Sequence, residues 1–266
     1  MSAKAHLYQV VTFATDPLHG NPAYVLADAD GASDRALVGA CEMLRADVIA
    51  VVGRGSGVET PLSFYTAEGP HPGAGHSTLA AAHTVLRNGD GKTNTVFHLA
   101  NGDRRIARVD GDRISVDFPM MPRERIDLLR EMEAALGARP RETLAAAFGY
   151  VAVFDDAETV AGMQPDLAKV AAIGRTAVIV TAPAKSGSDV VIRVFAPNAG
   201  LPEDPVCGTA HRIIVPYWVA RMGKTRIHSR HLSPRGGDLW CEDKGDQVAI
   251  AGETSLVVDG SIRLAD

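Results

Sequence analysis

Cysteine is scarce in this chain: Cys41, Cys207 and Cys241 are the three present in 266 residues. An odd, widely spaced set without a CxxC pair supports neither a disulfide framework nor a zinc site. The histidines form no HxxxH or HxH pairing, so no metal is expected. Basic stretches are missing too, and the formal net charge is −5, which gives no reason to expect nucleic acid or an anionic membrane as a partner. No run approaches the roughly 20 apolar residues of a membrane span. The start, Met1-Ser2-Ala3-Lys4-Ala5-His6, moves directly into a strand pattern with no signal-peptide character, and cytoplasmic residence is the expectation. There is no low-complexity segment and no long linker.

What the chain has instead is a pair of glycine-rich turns, Gly73-Ala74-Gly75-His76-Ser77-Thr78 and Asp204-Pro205-Val206-Cys207-Gly208-Thr209-Ala210. Each follows a strand-like run and opens a helix-like run of small residues. Ala74-Gly75-His76 and Cys207-Gly208-Thr209 lie about half of the 266-residue chain apart, which points to two halves of similar design. A helix start carries unpaired N–H groups and the positive end of the helix dipole, so each turn is a candidate anion site. Two such turns facing one place would hold a carboxylate, with His76, Asp204 and Cys207 beside it. Neither turn has the GxGxxG spacing of dinucleotide sites or the lysine of a phosphate-binding loop, and no cofactor is expected.

The length allows one large or two medium domains, and 46% hydrophobic with 22% charged residues places the chain among soluble globular proteins. Hydrophobic patterning predicts strands over 5–14, 23–27, 48–52, 61–66, 95–99, 105–109 and 113–118. Ser33 is placed to cap a helix running to about Arg45. The stretch 77–86 is so uniformly small and apolar that it suits a central helix covered by sheet on all sides. Pro119-Met120-Met121-Pro122 marks the boundary between halves, giving domains over 1–120 and 121–254, with 255–266 returning to the first. In the second half, helices are predicted over 126–136, 157–172 and 209–222. Strands are predicted there over 151–154, 177–181, 190–195, 238–241, 247–251 and 255–258. The fold class expected is α+β: two similar halves, each a mostly antiparallel sheet around a central helix, with the active site in the cleft between them.

Four side chains are candidates for chemistry. Asp47, in Ala46-Asp47-Val48-Ile49-Ala50, has apolar neighbours throughout. It either faces water at a strand edge or is buried with a raised pKa, the second being what a general base near neutral pH requires. His76, at a turn into a helix, can donate to a carboxylate or shuttle a proton, or can simply cap. Asp204 either initiates a turn, as Asp-Pro pairs do, or supplies a carboxylate beside Cys207 and Thr209. Cys207 sits at a helix start among small residues, where a thiol of lowered pKa is expected. Cys41 and Cys241 lie in apolar runs and read as core thiols.

Taken in order, these residues support a resemblance. Phe13-Ala14-Thr15-Asp16, Gly20-Asn21-Pro22-Ala23, the segments 40–51 and 64–83 with Gly75-His76, Phe195-Ala196-Pro197, and Glu203-Asp204-Pro205 with Gly208-Thr209-Ala210 resemble the PhzF-like isomerases of phenazine biosynthesis, within the diaminopimelate-epimerase superfold. The resemblance implies a cofactor-independent isomerase. It would shift a double bond by proton abstraction and redelivery on a small cyclic unsaturated amino acid or related carboxylate, in secondary metabolism and as a homodimer. It carries the catalytic base, a glutamate in the family, onto Asp47. His76 and Asp204 would bind the polar groups of the substrate and assist the transfer, and Gly75, Ser77, Gly208 and Thr209 would hold its carboxylate.

The sequence departs from the family at several places. Asp47 is one methylene shorter than glutamate, roughly 1.5 Å of lost reach, where a misplacement near 1 Å can cost about a hundredfold. Cys207 stands where the epimerases of this superfold carry one of two catalytic cysteines, but its counterpart in the first half is Ala74, so a two-thiol racemase is incomplete. A Gln-Gly segment of the family becomes Ser229-Arg230. Cys207 is then a second acid/base or a pocket wall. The alternatives are a one-cysteine epimerase or dehydratase on the same scaffold, or a binding protein that has lost the reaction.

Overall fold

The computed structural model describes residues 3–29, 31–87 and 91–265; Met1 and Ser2 of the N-terminal pattern and the final Asp266 lie outside the described residues. The chain divides into two compact units, Met1–Asp117 with Ala251–Asp266, and Phe118–Ile250.

In the first unit, β1 (Ala3–Thr12) pairs antiparallel with β2 (Asn21–Ala27). The connection needs glycine at position 20: its φ is +68°, and a Cβ there would meet the Thr12 carbonyl oxygen at 2.3 Å. Helix α1 (Asp34–Leu44) begins where the sequence predicts, with Ser33 Oγ accepting from the Ala36 N–H at 3.2 Å. It buries Ala36, Leu37, Ala40 and Cys41, one face at helical spacing. The chain then returns as β3 (Ile49–Val52), parallel to β2, so that β2-α1-β3 is a crossover unit. Strands β4 (Glu59–Thr66) and β5 (Gly69–His71) lead into α2 (Gly75–Arg87), followed by β6 (Asn94–Leu99), β7 (Arg104–Asp110) and β8 (Arg113–Pro119). Helix α2 packs on β1, β2, β3, β6 and β7. Ser77–Thr84 are buried without a break, and the run Ala80-Ala81-Ala82 lets the strands close in on every side. This is the central helix that the small-residue run predicts.

The second unit contains β9 (Arg123–Ile126), α3 (Leu129–Leu136), β10 (Glu142–Ala146), β11 (Gly149–Val153), α4 (Ala157–Ala161), α5 (Leu167–Ile173), β12 (Ala177–Pro183), β13 (Val190–Phe195), α6 (Gly208–Met222), β14 (Arg226–His231) and β15 (Gly237–Asp243). Its strands run in the order β15-β14-β13-β12-β11-β10-β9, with β11–β12 and β13–β14 parallel. Met132, Leu136, Phe154, Val160, Met163 and Phe195 belong to its core. Helix α6 packs on β14 and β15. Pro216 inside α6 has no N–H to give the Arg212 carbonyl, and that carbonyl instead accepts from the Met121 N–H at 3.1 Å. A final strand, β16 (Gln247–Leu264), runs from the second unit into the first, where it pairs antiparallel with β1. The α+β class and the mostly antiparallel sheets stand as expected from the sequence.

Three assignments are corrected. The helix expected over 126–136 starts only at Leu129, because residues 123–126 pair with β10 as β9. Thr143 Oγ1 fastens this edge, donating to the Ile126 carbonyl at 2.7 Å and accepting from the Leu128 N–H at 3.2 Å. The helix expected over 157–172 is two: Gly162 ends the first, Pro165 disfavours helical backbone at Gln164, and Asp166 caps the second. The strands expected over 247–251 and 255–258 are one, because Gly252-Glu253-Thr254 continues into the register set by β1, Thr12 opposite Thr254.

Candidate active site

The first glycine-rich turn opens α2. The Thr78 N–H and Oγ1 both donate to the Ala74 carbonyl, at 2.9 and 2.7 Å, closing the first turn. The N–H groups of Gly75, His76 and Ser77 precede any intrahelical acceptor. Ser77 Oγ is fully buried and has no hydrogen-bond partner among the described residues. His76 is half-buried at the surface of this turn, and desolvation lowers its imidazole to about 4. It is therefore neutral at pH 7 and can donate from one ring nitrogen while accepting at the other.

Asp47 follows α1 and precedes β3, and it is exposed. Of the two possibilities open from its apolar neighbourhood, the water-facing one is found. The backbone around it is pinned from below: the Ala46 N–H donates to the Cys41 carbonyl at 3.0 Å, and the Cys41 thiol donates to the Ala46 carbonyl at 2.9 Å. Burial raises the Cys41 thiol, and the Asp47 carboxylate raises it further. Cys41 is a core thiol, as its run of apolar neighbours implies.

The second glycine-rich turn opens α6. Asp204 is fixed by its neighbours: its N–H donates to the Val194 carbonyl at 2.9 Å, and its Oδ1 accepts from the Val206 N–H at 3.1 Å. Ser233 Oγ donates to the Pro205 carbonyl at 2.6 Å. Cys207 is the N-cap residue but makes no capping hydrogen bond. The thiol of lowered pKa expected here is not found. Burial pushes the Cys207 thiol well above its ordinary value and the Asp204 carboxylate adds to this, outweighing the opposing pull of the Ala210 and Thr209 amides. Cys207 is a protonated thiol at neutral pH. Gly208 is buried behind it and Thr209 is partly exposed.

The structure thus gathers Gly75, His76 and Ser77 in one helical turn, and Cys207, Gly208 and Thr209 at the start of another, with Asp204 on the loop leading into it. Asp47 stands on the loop from α1 to β3. The sequence places His211 close to the second turn, but sequence reasoning gave His231 no part and did not join it with His211 and Ser229 beneath Cys207. His211 Nδ1 is 2.8 Å from the Cys207 carbonyl, and its Nε2 is 2.9 Å from Ser229 Oγ. His231 Nε2 accepts from the Cys207 N–H at 3.2 Å. All three side chains are at most 1% exposed. The signal for Ser229 and His231 was the period-two alternation of Ile227, Ser229 and His231 along β14, obscured because two of the three inward residues are polar.

The chain as a whole has known counterparts. The phenazine biosynthesis-like protein family matches residues 10–260. The chain belongs to the phenazine biosynthesis-like family. An uncharacterized isomerase of Pseudomonas aeruginosa is 35% identical over 260 residues, 97% of this chain and 98% of that one. A PhzF-family crystal structure from Enterococcus faecalis superposes with a TM-score of 0.92 at 31% identity, covering 98% of this chain and 100% of that one. A hydroxyproline epimerase from Agrobacterium vitis shares the fold at a TM-score of 0.61 and 11% identity, covering 99% of this chain and 93% of that one. The family and the isomerase relative make this protein an enzyme of isomerase type with an epimerase-like α+β fold.

Proposed function

We propose that this phenazine biosynthesis-like protein is a cofactor-independent isomerase that moves a double bond in a small cyclic unsaturated amino acid or related carboxylate. The observation that carries this reading is the opening turn of α2, where three N–H groups, a neutral His76 and a buried Ser77 Oγ without a hydrogen-bond partner among the described residues come together. A substrate carboxylate is the natural complement of such a turn. The family resemblance adds the start of α6, with Gly208 and Thr209, as a second set of carboxylate donors.

In the proton transfer, Asp47 takes a proton from one carbon of the substrate. The electron pair left behind delocalises over the adjacent unsaturation, and Asp47 returns the proton to another carbon on the same face. Amide donors aimed at the carboxylate stabilise the charge that develops, which is commonly the largest single contribution. His76 and Asp204 orient the amino or ring group. In this proposal the protein acts in the cytoplasm, and the homodimer and the secondary-metabolite pathway rest on the family resemblance.

The test is incubation with a panel of cyclic dienes in deuterated water, followed by NMR. Deuterium entering one carbon in wild type and not in Asp47→Asn is the expected result. No incorporation across the panel would overturn the isomerase reading in favour of a binding protein. Incorporation that survives in Asp47→Asn and is lost on alkylation of Cys207 would instead favour a one-cysteine epimerase.

A further inference from the structure

Helix α6 starts on Cys207, whose protonated thiol makes no side-chain capping hydrogen bond and is at best a weak partner for the first-turn amides. A thiol is a weak cap, so other groups have to hold the first turn if its amides are to keep one direction. The fixing comes from beneath. The N–H of Cys207 is taken by His231 Nε2 at 3.2 Å, and its carbonyl is met by His211 Nδ1 at 2.8 Å.

The hydrogen-bond directions settle both tautomers. A carbonyl only accepts, so His211 carries its proton on Nδ1, and its Nε2 accepts from the Ser229 hydroxyl at 2.9 Å. An amide N–H only donates, so His231 is unprotonated at Nε2 and carries its proton on Nδ1. Both rings are neutral, with centroids 5.5 Å apart. Ser229 and His231 sit on β14, which is paired on both sides, Val190 opposite Ser229 on β13 and His231 opposite Gly237 on β15. The first turn of α6 is therefore tied to a strand in the interior of the sheet.

This tie is a poor choice for stability alone. His231 Nδ1 is buried without a hydrogen-bond partner among the described residues, a cost that an apolar side chain would avoid. From this geometry we propose that His211 and His231 are positioning residues, clamping the peptide groups on both sides of Cys207 so that the amides of Gly208 and Thr209 keep a fixed direction. The proposal rests on the reading that this helix start receives the substrate carboxylate.

The experiment measures alkylation of Cys207 by iodoacetamide relative to Cys241, a buried thiol of the same unit. Global unfolding exposes both thiols, whereas loosening of the first turn exposes Cys207 alone. His231→Leu is expected to raise the Cys207-to-Cys241 labelling ratio about tenfold, the scale of one lost buried hydrogen bond. His231→Gln, whose Oε1 can occupy the place of Nε2, is expected to return the ratio to near wild type. On a substrate that exchanges deuterium, His231→Leu should raise KM and lower kcat together. An unchanged ratio in His231→Leu, or both thiols rising in step, would overturn the proposal. Should His231→Leu fail to fold, Ser229→Ala cuts only the outer link, and no increase of the ratio in that variant would overturn it equally. If wild type exchanges no deuterium into any carboxylate, the functional reading fails, while the labelling ratio still decides the clamp.

Discussion

Arg193 holds Glu203 through two parallel hydrogen bonds, Nε to Oε1 at 2.8 Å and Nη2 to Oε2 at 2.9 Å, immediately ahead of Asp204. The two side chains are only 9% and 15% exposed. The remaining guanidinium nitrogen donates to the Met163 carbonyl at 2.7 Å, and the group lies 4.9 Å above the Phe195 ring. A fork of this kind fixes direction as well as distance, and it anchors the loop that presents Asp204. Breaking a buried pair from one side strands the other charge, so Glu203→Ala should lower the unfolding free energy by about 3–5 kcal/mol in urea titration. Arg193→Lys keeps the charge but loses the planar fork and should fall between. A loss below about 1 kcal/mol, typical of exposed pairs, would show that the clamp contributes little.

Asp47 and Cys207 compete for the role of base, and their environments separate them. Asp47 faces water, where a ligand can reach it, whereas Cys207 is buried with its thiol held protonated. Asp47→Asn should lower solvent-deuterium incorporation by about 10²–10⁴, the usual share of a general base. Cys207→Ser should keep activity within about tenfold of wild type if the thiol is only a wall of the site. Asp47→Glu restores the methylene by which this chain falls short of the family, and its rate tells whether the substrate sits closer to residue 47 here. The reverse ranking of Asp47→Asn and Cys207→Ser would make the thiol the base.

The parts of this molecule legible in the sequence are those in which one local signal decides the outcome. Ser33 and the apolar face at Ala36, Leu37, Ala40 and Cys41 define α1, and the alanine-rich run defines α2. The glycine-rich turns mark both helix starts. What was not legible depends on partners distant in sequence. Residues 123–126 become a strand only because residues 143–146 lie opposite. The chemistry at Cys207 followed its burial and Asp204, not its place at a helix start, so the local signal there pointed the wrong way. The histidines beneath it come from β14 and from one turn into α6, and only folding joins them.

Phe13 has φ of 68°, an unusual conformation for an aromatic residue, and its ring occupies the space beside Gly252. A Cβ at position 252 would lie 2.5 Å from Phe13 Cδ1 and 3.2 Å from its Cα. The Phe13 N–H is fastened to the Glu253 carbonyl at 2.8 Å, so the backbone cannot easily yield. Gly252→Ala should therefore destabilise by about 1–3 kcal/mol, the range for forcing extra volume into a packed site. Gly252→Ala with Phe13→Leu should recover part of the loss, and additive losses in thermal unfolding would show that the contact is not the cause.

Acid should weaken this fold before its carboxylates titrate. Burial lowers His211 and His83 to about 4 from an ordinary 6.5, and burial with the neighbouring His211 lowers His231 as well. The unfolded chain takes up protons at His211 and His83 near pH 6.5, whereas the folded chain does so only near pH 4. Between those values the unfolded state holds more protons, so stability is fully present above about 6.5 and declines as pH falls towards 4. Each such histidine adds at most about 1.4 kcal/mol per pH unit to the slope. Urea unfolding of wild type at a series of pH values between 7.5 and 4.5 should show this decline, and His211→Asn should flatten it by about one proton. His211 is the informative choice because its ring nitrogens meet the Cys207 carbonyl and the Ser229 hydroxyl and its ring faces that of His231. Wild-type stability that stays level down to pH 5 would mean that these imidazoles gain protons in the folded state, and the clamp on Cys207 would then carry charge.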